Sequence, residues 1–302
     1  MSRHVAVLMG GWSAEREVSL VSGRAAAQAL AERGYRVSEI DVDRELPGKL
    51  AKVRPDVVYN ALHGRFGEDG TVQGLLEIMG IPYSHSGVLA SSLAMNKAMA
   101  KRLFASVGLR CPEGHLTTVK ALSNGRRPLD PPYVVKPNNE GSSVGVRIVR
   151  RSDDRPIDRN DWPFGPDVLV ERYVAGRELT VAVLGERALT VTEIRPRHGF
   201  YDYHAKYTEH QAEHLIPAPI APDTFERALD AALTAHRVLG CRGTSRADFR
   251  LDEDDPDGLY LLEVNTQPGM TPLSLVPEQA AHVGIGFADL VVQLVEEARC
   301  DA

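Results

Sequence analysis

At 302 residues, with 43% hydrophobic and 25% charged side chains, the chain has room for two or three domains and the composition of an ordinary globular protein, which excludes fibrous and disordered classes. A net charge of -6 argues against a general nucleic-acid binder, because affinity for a phosphate backbone needs concentrated Lys and Arg, but leaves a small phosphate ligand open. The cysteines Cys111, Cys241 and Cys300 form no C-x-x-C, no run reaches ~18 apolar residues and the basic start is soon broken by polar and glycine residues, so no disulfide framework, zinc site, export signal or membrane span is expected and the setting is cytoplasmic.

The chain opens with Val5 to Met9, then Gly10-Gly11 and a helical pattern from Ser13 to Arg33 that Gly34 stops. A second apolar run from Val53 to Leu62 meets His63, a glycine-rich turn and a helix from about Val72 to Met79. This alternation predicts a small parallel-sheet domain over residues 1–95, with ligands at the strand ends. The Gly-Gly turn lacks the G-x-G-x-x-G spacing and is a weak signal by itself.

A helix from about Ala94 to Val107 begins a second unit, followed by a strand from Tyr133 to Lys136, a loop from Pro137 to Gly145 and a strand from Val146 to Val149. The loop lies between strands and lacks a P-loop's Gly-Lys-Ser/Thr ending. Gly141, Ser142, Ser143 and Gly145 can still offer donors to a phosphate beside the charge of Lys136; the alternative is a flexible hairpin loop. Two alternating segments, Val168 to Val174 and Arg177 to Leu184, flank Ala175-Gly176. Their Glu171 and Glu178 are placed to accept from an adenine amine and ribose hydroxyls, or are solvated glutamates of edge strands. The segment from Arg195 to His214 is long and polar with Phe200, Tyr201, Tyr203 and Tyr207, as in an active-site lid or a disordered loop. An amphipathic helix spans Asp223 to Leu239.

Near the C-terminus, Arg246 to Asp252 and Leu259 to Asn265 read as a hairpin closed over Glu253 to Gly258. In the expected register Ala247 pairs with Val264, Phe249 with Leu262 and Leu251 with Tyr260 on an apolar face, while the other face sets Asp248 opposite Glu263 and Arg246 opposite Asn265. Facing carboxylates repel unless a proton or cation lies between them. Oxygen-only ligands with one amide suit Mg2+ binding a nucleotide; the alternative is solvated residues on an ordinary amphipathic hairpin. Turn formers from Thr266 to Pro272 follow directly, as at a strand ending in a site.

Five motifs, Gly10 to Ser19, His63 to Gly70, Lys136 to Gly145, Tyr201 to Tyr207 and Glu263 to Met270, resemble the D-alanine–D-alanine ligases of the ATP-grasp superfamily, in that family's order and over essentially the whole chain. The resemblance implies α/β architecture with an α+β ATP-grasp part, in three domains: a Rossmann-like parallel-sheet domain at 1–95, a central ATP-grasp subdomain at 96–180 and a C-terminal metal and substrate domain at 181–302. It implies that Lys97, Lys136, Glu171, Arg172, Val174 and Glu178 hold ATP and that Glu140, Gly141, Ser142, Ser143 and Val144 close over its phosphates. Asp248, Glu263 and Asn265 would hold two Mg2+, with Mn2+ as a substitute. Glu15 would pair with the ammonium of the first D-alanine near His63, and Ser142, Lys206 and Tyr207 would tie down the lid. Arg246 and the Gly269 N–H would stabilise the tetrahedral oxyanion, while Ser274 and Leu275 would receive the second carboxylate, at what reads as a helix start over Pro272 to Pro277.

Asn96, Arg172 and Gln267 depart from the commonest family residues, Asp, Lys and a small residue respectively. The expected reaction joins two D-alanines through a D-alanyl phosphate for peptidoglycan precursor synthesis, in a homodimer with no nucleic-acid or membrane partner; the helix after Glu15 is a candidate contact surface. A D-alanine–D-lactate ligase or another ATP-grasp carboxylate-amine ligase is the nearest alternative, and a silent nucleotide sensor or a dinucleotide-dependent oxidoreductase the more distant ones.

Overall fold

A computed structural model describes residues 3–141, 144–152, 154, 157, 161–196, 212–255, 257–271 and 274–301. Its first strand, β1 (His4–Gly10), is buried along its whole length. That burial follows from its place between β2 (Arg36–Val42) and β3 (Val57–Asn60), both parallel to it, in a sheet covered on two faces. Val5, Val7 and Met9 point to one side, against Ala26 and Leu30 of α1 (Arg16–Glu32), while Ala6 and Leu8 point to the other, against Leu46 and Leu50 of α2 (Leu46–Val53) and Leu76 of α3 (Thr71–Met79).

Two expected boundaries move for local reasons. Helix α1 begins at Arg16 rather than Ser13, because the Ser13 hydroxyl donates to the His63 carbonyl at 2.8 Å and holds the chain across to the next loop. The apolar run from Val53 to Leu62 is not one strand: Val53 closes α2, Arg54 turns with φ 48°, and only Val57 to Asn60 is β3.

Helices α4 (Val88–Met95) and α5 (Lys97–Ser106) lead to a four-stranded sheet ordered β4 (Gly114–Thr118), β7 (Asp167–Arg172), β5 (Tyr133–Pro137), β6 (Arg147–Val149). With α6 (Val119–Ser123), this sheet has its own core around Tyr133, Val135, Val149, Trp162 and Val168. A five-stranded antiparallel sheet is ordered β10 (Ala212–Leu215), β9 (Arg187–Pro196), β8 (Arg177–Leu184), β11 (Thr244–Leu251), β12 (Leu259–Asn265). Its apolar face packs on α7 (Pro222–Leu239) and on Ala100 and Phe104 of α5. The 180/181 division falls inside β8.

Between β7 and β8 the chain passes from one sheet to the other at Gly176, whose φ of 98° and close approach to the Leu251 carbonyl leave no room for a side chain. The last helices, α8 (Leu275–His282) and α9 (Phe287–Glu296), return to the first sheet, where Leu290, Val291 and Leu294 join the β1 core. The expected lid segment begins in β9 and ends in β10, which pair through Arg195 and Glu213; residues 197–211 lie outside the described residues.

Candidate active site

The β11–β12 hairpin has the expected pairing at one end and not at the other. Arg246 faces Asn265, Ala247 faces Val264 and Asp248 faces Glu263, but the register then slips, so Phe249 pairs with Leu261 and not Leu262, and Leu251 with Leu259 and not Tyr260. A bulge is the reason: two residues on one strand oppose one on the other, and both can point to the same face. Leu262 therefore leaves the apolar core and lines the cleft beside Glu263.

Facing carboxylates do not need an outside cation here. The Arg246 guanidinium clamps Asp248 through both nitrogens, at 2.8 and 2.7 Å, and Thr180 donates to the same carboxylate at 2.7 Å. Glu263 lies 3.1 Å from Lys97 Nζ. Arg246 and Lys97 supply the compensating cations, so the facing carboxylates do not by themselves require a bound metal. The donor set still suits a hard cation: Asp248 and Glu263 offer carboxylate oxygens at facing positions, and Asn265 Oδ1, which accepts from the Gln267 N–H at 2.7 Å, keeps a second lone pair. Among the described residues no group of three or more His, Cys, Asp and Glu gathers as a metal site.

Two clefts meet at this hairpin. One, about 850 Å3 including its open mouth, is walled by Val134, Val144, Val146, Val174 and Leu262, apolar residues suited to a planar base. Its polar end carries Lys97, Lys136, Glu140, Gly141, Asp248 and Glu263. Glu171 is neither solvated nor on an edge strand: β7 is central, the residue is buried, Lys136 lies 2.5 Å from one carboxylate oxygen and Lys101 bonds the other. Burial pushes this carboxyl upward, yet the two lysines outweigh it and hold it below the ordinary range. Lys136, pulled down by burial, is raised overall by Glu171 and Glu263, whereas burial leaves Lys101 lowered. Glu178 is likewise on a central strand and lies 3.4 Å from Arg250, which also donates to the Val174 carbonyl at 3.2 Å.

Arg172 lies at the base end of the cleft, with its guanidinium 5.0 Å from the centroid of the buried Tyr260 ring. Arg110 approaches the same ring at 4.5 Å, and the Tyr260 hydroxyl donates to Asp255 at 2.9 Å.

A second cleft, about 620 Å3 by the same measure, is lined by Glu15, His63, Glu68, Arg246, Asn265 and Gly269 and shares Lys97, Glu140, Gly141 and Glu263 with the first. Glu15 precedes α1 and makes no side-chain cap bond to the helix. His63 Nδ1 lies 3.4 Å from Glu68 and 3.2 Å from the Gln267 carbonyl, and its Nε2 lies 3.2 Å from Ser22 Oγ. Burial lowers its pKa, but Glu68 and Glu15 prevail and raise it above 6.5.

Thus Lys97, Lys136, Glu140, Gly141, Val144, Glu171, Arg172, Val174 and Glu178 gather in the first cleft, while Glu15, His63, Arg246, Asn265 and Gly269 gather in the second. Ser274 and Leu275 line neither. Ser274 precedes α8, its hydroxyl 2.8 Å from that of Thr271, while Leu275 is buried against Ile194; the helix starts at Leu275, later than the expected Pro272. Ser142, Ser143, Lys206 and Tyr207 lie outside the described residues. Sequence reasoning missed Glu68, Lys101 and Tyr260. Glu68 stood inside a recognised motif, but nothing local marks the other two, which reach the site only through packing.

Residues 105–296 match the family described as "D-ala D-ala ligase C-terminus" and residues 45–86 the one described as "D-ala D-ala ligase N-terminus". The D-alanine–D-alanine ligase of Parvibaculum lavamentivorans is 56% identical over 99% of both chains, and that of Paramagnetospirillum magneticum is 58% identical over 100% of both. Among solved structures, the D-alanine–D-alanine ligase of Bacillus anthracis complexed with ATP superposes with a TM-score of 0.79 at 30% identity, covering 98% of this chain and 96% of that one. A second structure of the Bacillus anthracis enzyme superposes at 0.82 with 33% identity, over 98% and 97% of the respective chains. With its two linked clefts, its three sheets and full-length relatives at more than half identity, the chain belongs to the D-alanine–D-alanine ligase family.

Proposed function

We propose that this protein ligates two D-alanine molecules to D-alanyl-D-alanine, with ATP converted to ADP and phosphate through a D-alanyl phosphate, to supply peptidoglycan precursors in the cytoplasm. One observation carries the reading: an apolar cleft and a polar cleft share a wall of Lys97, Glu140, Gly141 and Glu263, so a phosphoryl group leaving a nucleotide in the first would meet a carboxylate held in the second.

The base rests on Val174 and Leu262, with Arg172 beside it and Glu178 toward the ribose; Lys136, fixed by Glu171, and Lys97 face the phosphates, with Glu140, Gly141 and Val144 on the same lining. The family resemblance adds Ser142 and Ser143 as phosphate donors. Asp248, Glu263 and Asn265 would hold two Mg2+, or Mn2+ in their place, which would neutralise phosphate charge. Glu15 accepts from the ammonium of the first D-alanine, with His63 behind it, and aims its carboxylate at the shared wall. Attack on the γ-phosphorus yields the acyl phosphate and ADP. The amine of the second D-alanine, its carboxylate received by Ser274 and Leu275, then attacks the acyl carbon, and the oxyanion develops against Arg246 and the Gly269 N–H. The family resemblance gives Lys206, Tyr207 and Ser142 the task of excluding water from the intermediate. We also assign a homodimer, with α1, where Val21 is 48% exposed, as the candidate contact surface.

Phosphate release from ATP with D-alanine, L-alanine and D-lactate in turn tests the reaction. Release with D-alanine and formation of the dipeptide are expected; release without added amino acid, or a preference for D-lactate as second substrate, would replace this reading.

A further inference from the structure

The turn after β12 must carry Asn265 and Gly269 from the five-stranded sheet to the first sheet, and one buried side chain attaches it there. Gln267 is 2% exposed, and both ends of its amide engage Asn60, the last residue of β3. Its Oε1 accepts from Asn60 Nδ2 at 3.3 Å, its Nε2 donates to the Asn60 carbonyl, and the same Nε2 lies 3.5 Å from His85 Nδ1.

Its main chain works in two further directions. The Gln267 N–H donates to Asn265 Oδ1 at 2.7 Å, and its carbonyl lies 3.2 Å from His63 Nδ1. Asn60 is a rigid anchor, because it also donates to the Gly67 carbonyl at 3.1 Å and accepts from the Leu62 N–H at 3.1 Å. Beyond Gln267 the turn has a second tie next to Gly269, where the Met270 N–H donates to Ser22 Oγ of α1 at 3.3 Å.

We propose that Gln267 is a positioning residue that sets the spacing between the D-alanine side of the site, Glu15 and His63, and the oxyanion side, Arg246 and Gly269. This rests on the ligase reading above. The spacing matters most after the first transfer, when the acyl phosphate has two fates. If the amine attacks, an N–C bond forms, the bond from the acyl carbon to the phosphate oxygen breaks, the amine's proton passes to the departing phosphate and dipeptide results. If water attacks, an O–C bond forms, the same bond breaks, and free D-alanine and phosphate return. Displacement of reacting groups by about 1 Å can slow an oriented step by about 100-fold, which leaves water to compete.

Phosphate and dipeptide are counted together for wild type, Gln267→Ala and Gln267→Met, the last keeping the length of the side chain without its amide. Wild type should release them in equal amounts. Both variants should release phosphate in roughly two- to fivefold excess over dipeptide and require more D-alanine, with the KM for ATP within about twofold of wild type, a split that general destabilisation does not produce. Because the ratio is counted per turnover, it does not depend on how much of a variant folds. Equal release from Gln267→Met, with unchanged D-alanine dependence, would overturn the proposal and leave the ligase intact; a wild type that makes no dipeptide would instead remove the ligase reading.

Discussion

Beneath the first cleft, at Glu171, charge is neutralised by permanent partners, whereas on the β11–β12 hairpin where the two clefts meet it is neutralised by groups that also face the clefts. Glu171 sits between Lys136 and Lys101 with a side-chain exposure of 3%, so its charge is spent entirely within the protein. Asp248 and Arg246, by contrast, are each 14% exposed, and Glu263 is 24% exposed beside Lys97. The second cleft sets Glu15, Glu68, Glu140 and Glu263 against Lys97, Arg246 and His63 among the described residues, an arrangement open to a further cation such as an ammonium. A buried triad shapes a wall, because breaking it strands a charge away from water. A half-buried pair holds side chains in place until a ligand of the right sign takes one of them over.

The sharpest way to break this contrast is Glu171→Gln, which leaves two lysines facing each other. It should destabilise the fold by about 3–5 kcal/mol at neutral pH, read by denaturant unfolding. The sign with pH follows from the lowered carboxyl: the wild-type contribution is present above the ordinary value of 4.5 and is lost as pH falls through the depressed one. The variant should therefore approach wild-type stability in acid; a gap that is constant with pH would show that the carboxylate's charge is not what matters.

On the hairpin, Glu263→Gln and Asp248→Asn should each reduce ATP turnover by about 100-fold or more while the protein still folds. Since Arg246 and Lys97 already compensate both carboxylates, neither substitution should raise the melting temperature without metal, and Asp248→Asn should lower it slightly. Wild-type turnover in either variant at ordinary Mg2+ would mean that the hairpin is no cation platform, and a clear rise in melting temperature would mean that the repulsion is not compensated.

Glu15→Gln addresses the ammonium. D-alanine binding should weaken by about 1.5–3 kcal/mol, roughly 10- to 150-fold, with ATP affinity almost unmoved because Glu15 does not line the cleft proposed for the nucleotide. Separate titrations decide it: equal weakening of both ligands would return Glu15 to a structural role.

The smallest effect belongs to the base end, where Tyr260→Leu removes the ring under Arg172. A loss of about 0.5–1 kcal/mol of cation–π contact should raise the KM for ATP about two- to fivefold, and Tyr260→Phe, which keeps the ring, should restore most of it. Identical KM values in all three proteins would detach Arg172 from nucleotide binding.

Local pattern in the sequence was enough to determine the strand, Gly-Gly turn and helix at the start, the hairpin that sets Asp248 opposite Glu263, and the motifs that carry the family. Such features depend on alternation, turn residues and spacing within a few positions of one another. Only the tertiary structure decided the bulge that turns Leu262 into the cleft, the central position of β7 that buries Glu171, and the cations beside Asp248 and Glu263. A bulge slips the register by one residue with no distinctive composition, and Lys101 and Glu171 stand 70 positions apart in the chain. Whether a charged side chain meets water or a partner depends on which sheets and helices pack around it, and that is a property of the folded chain.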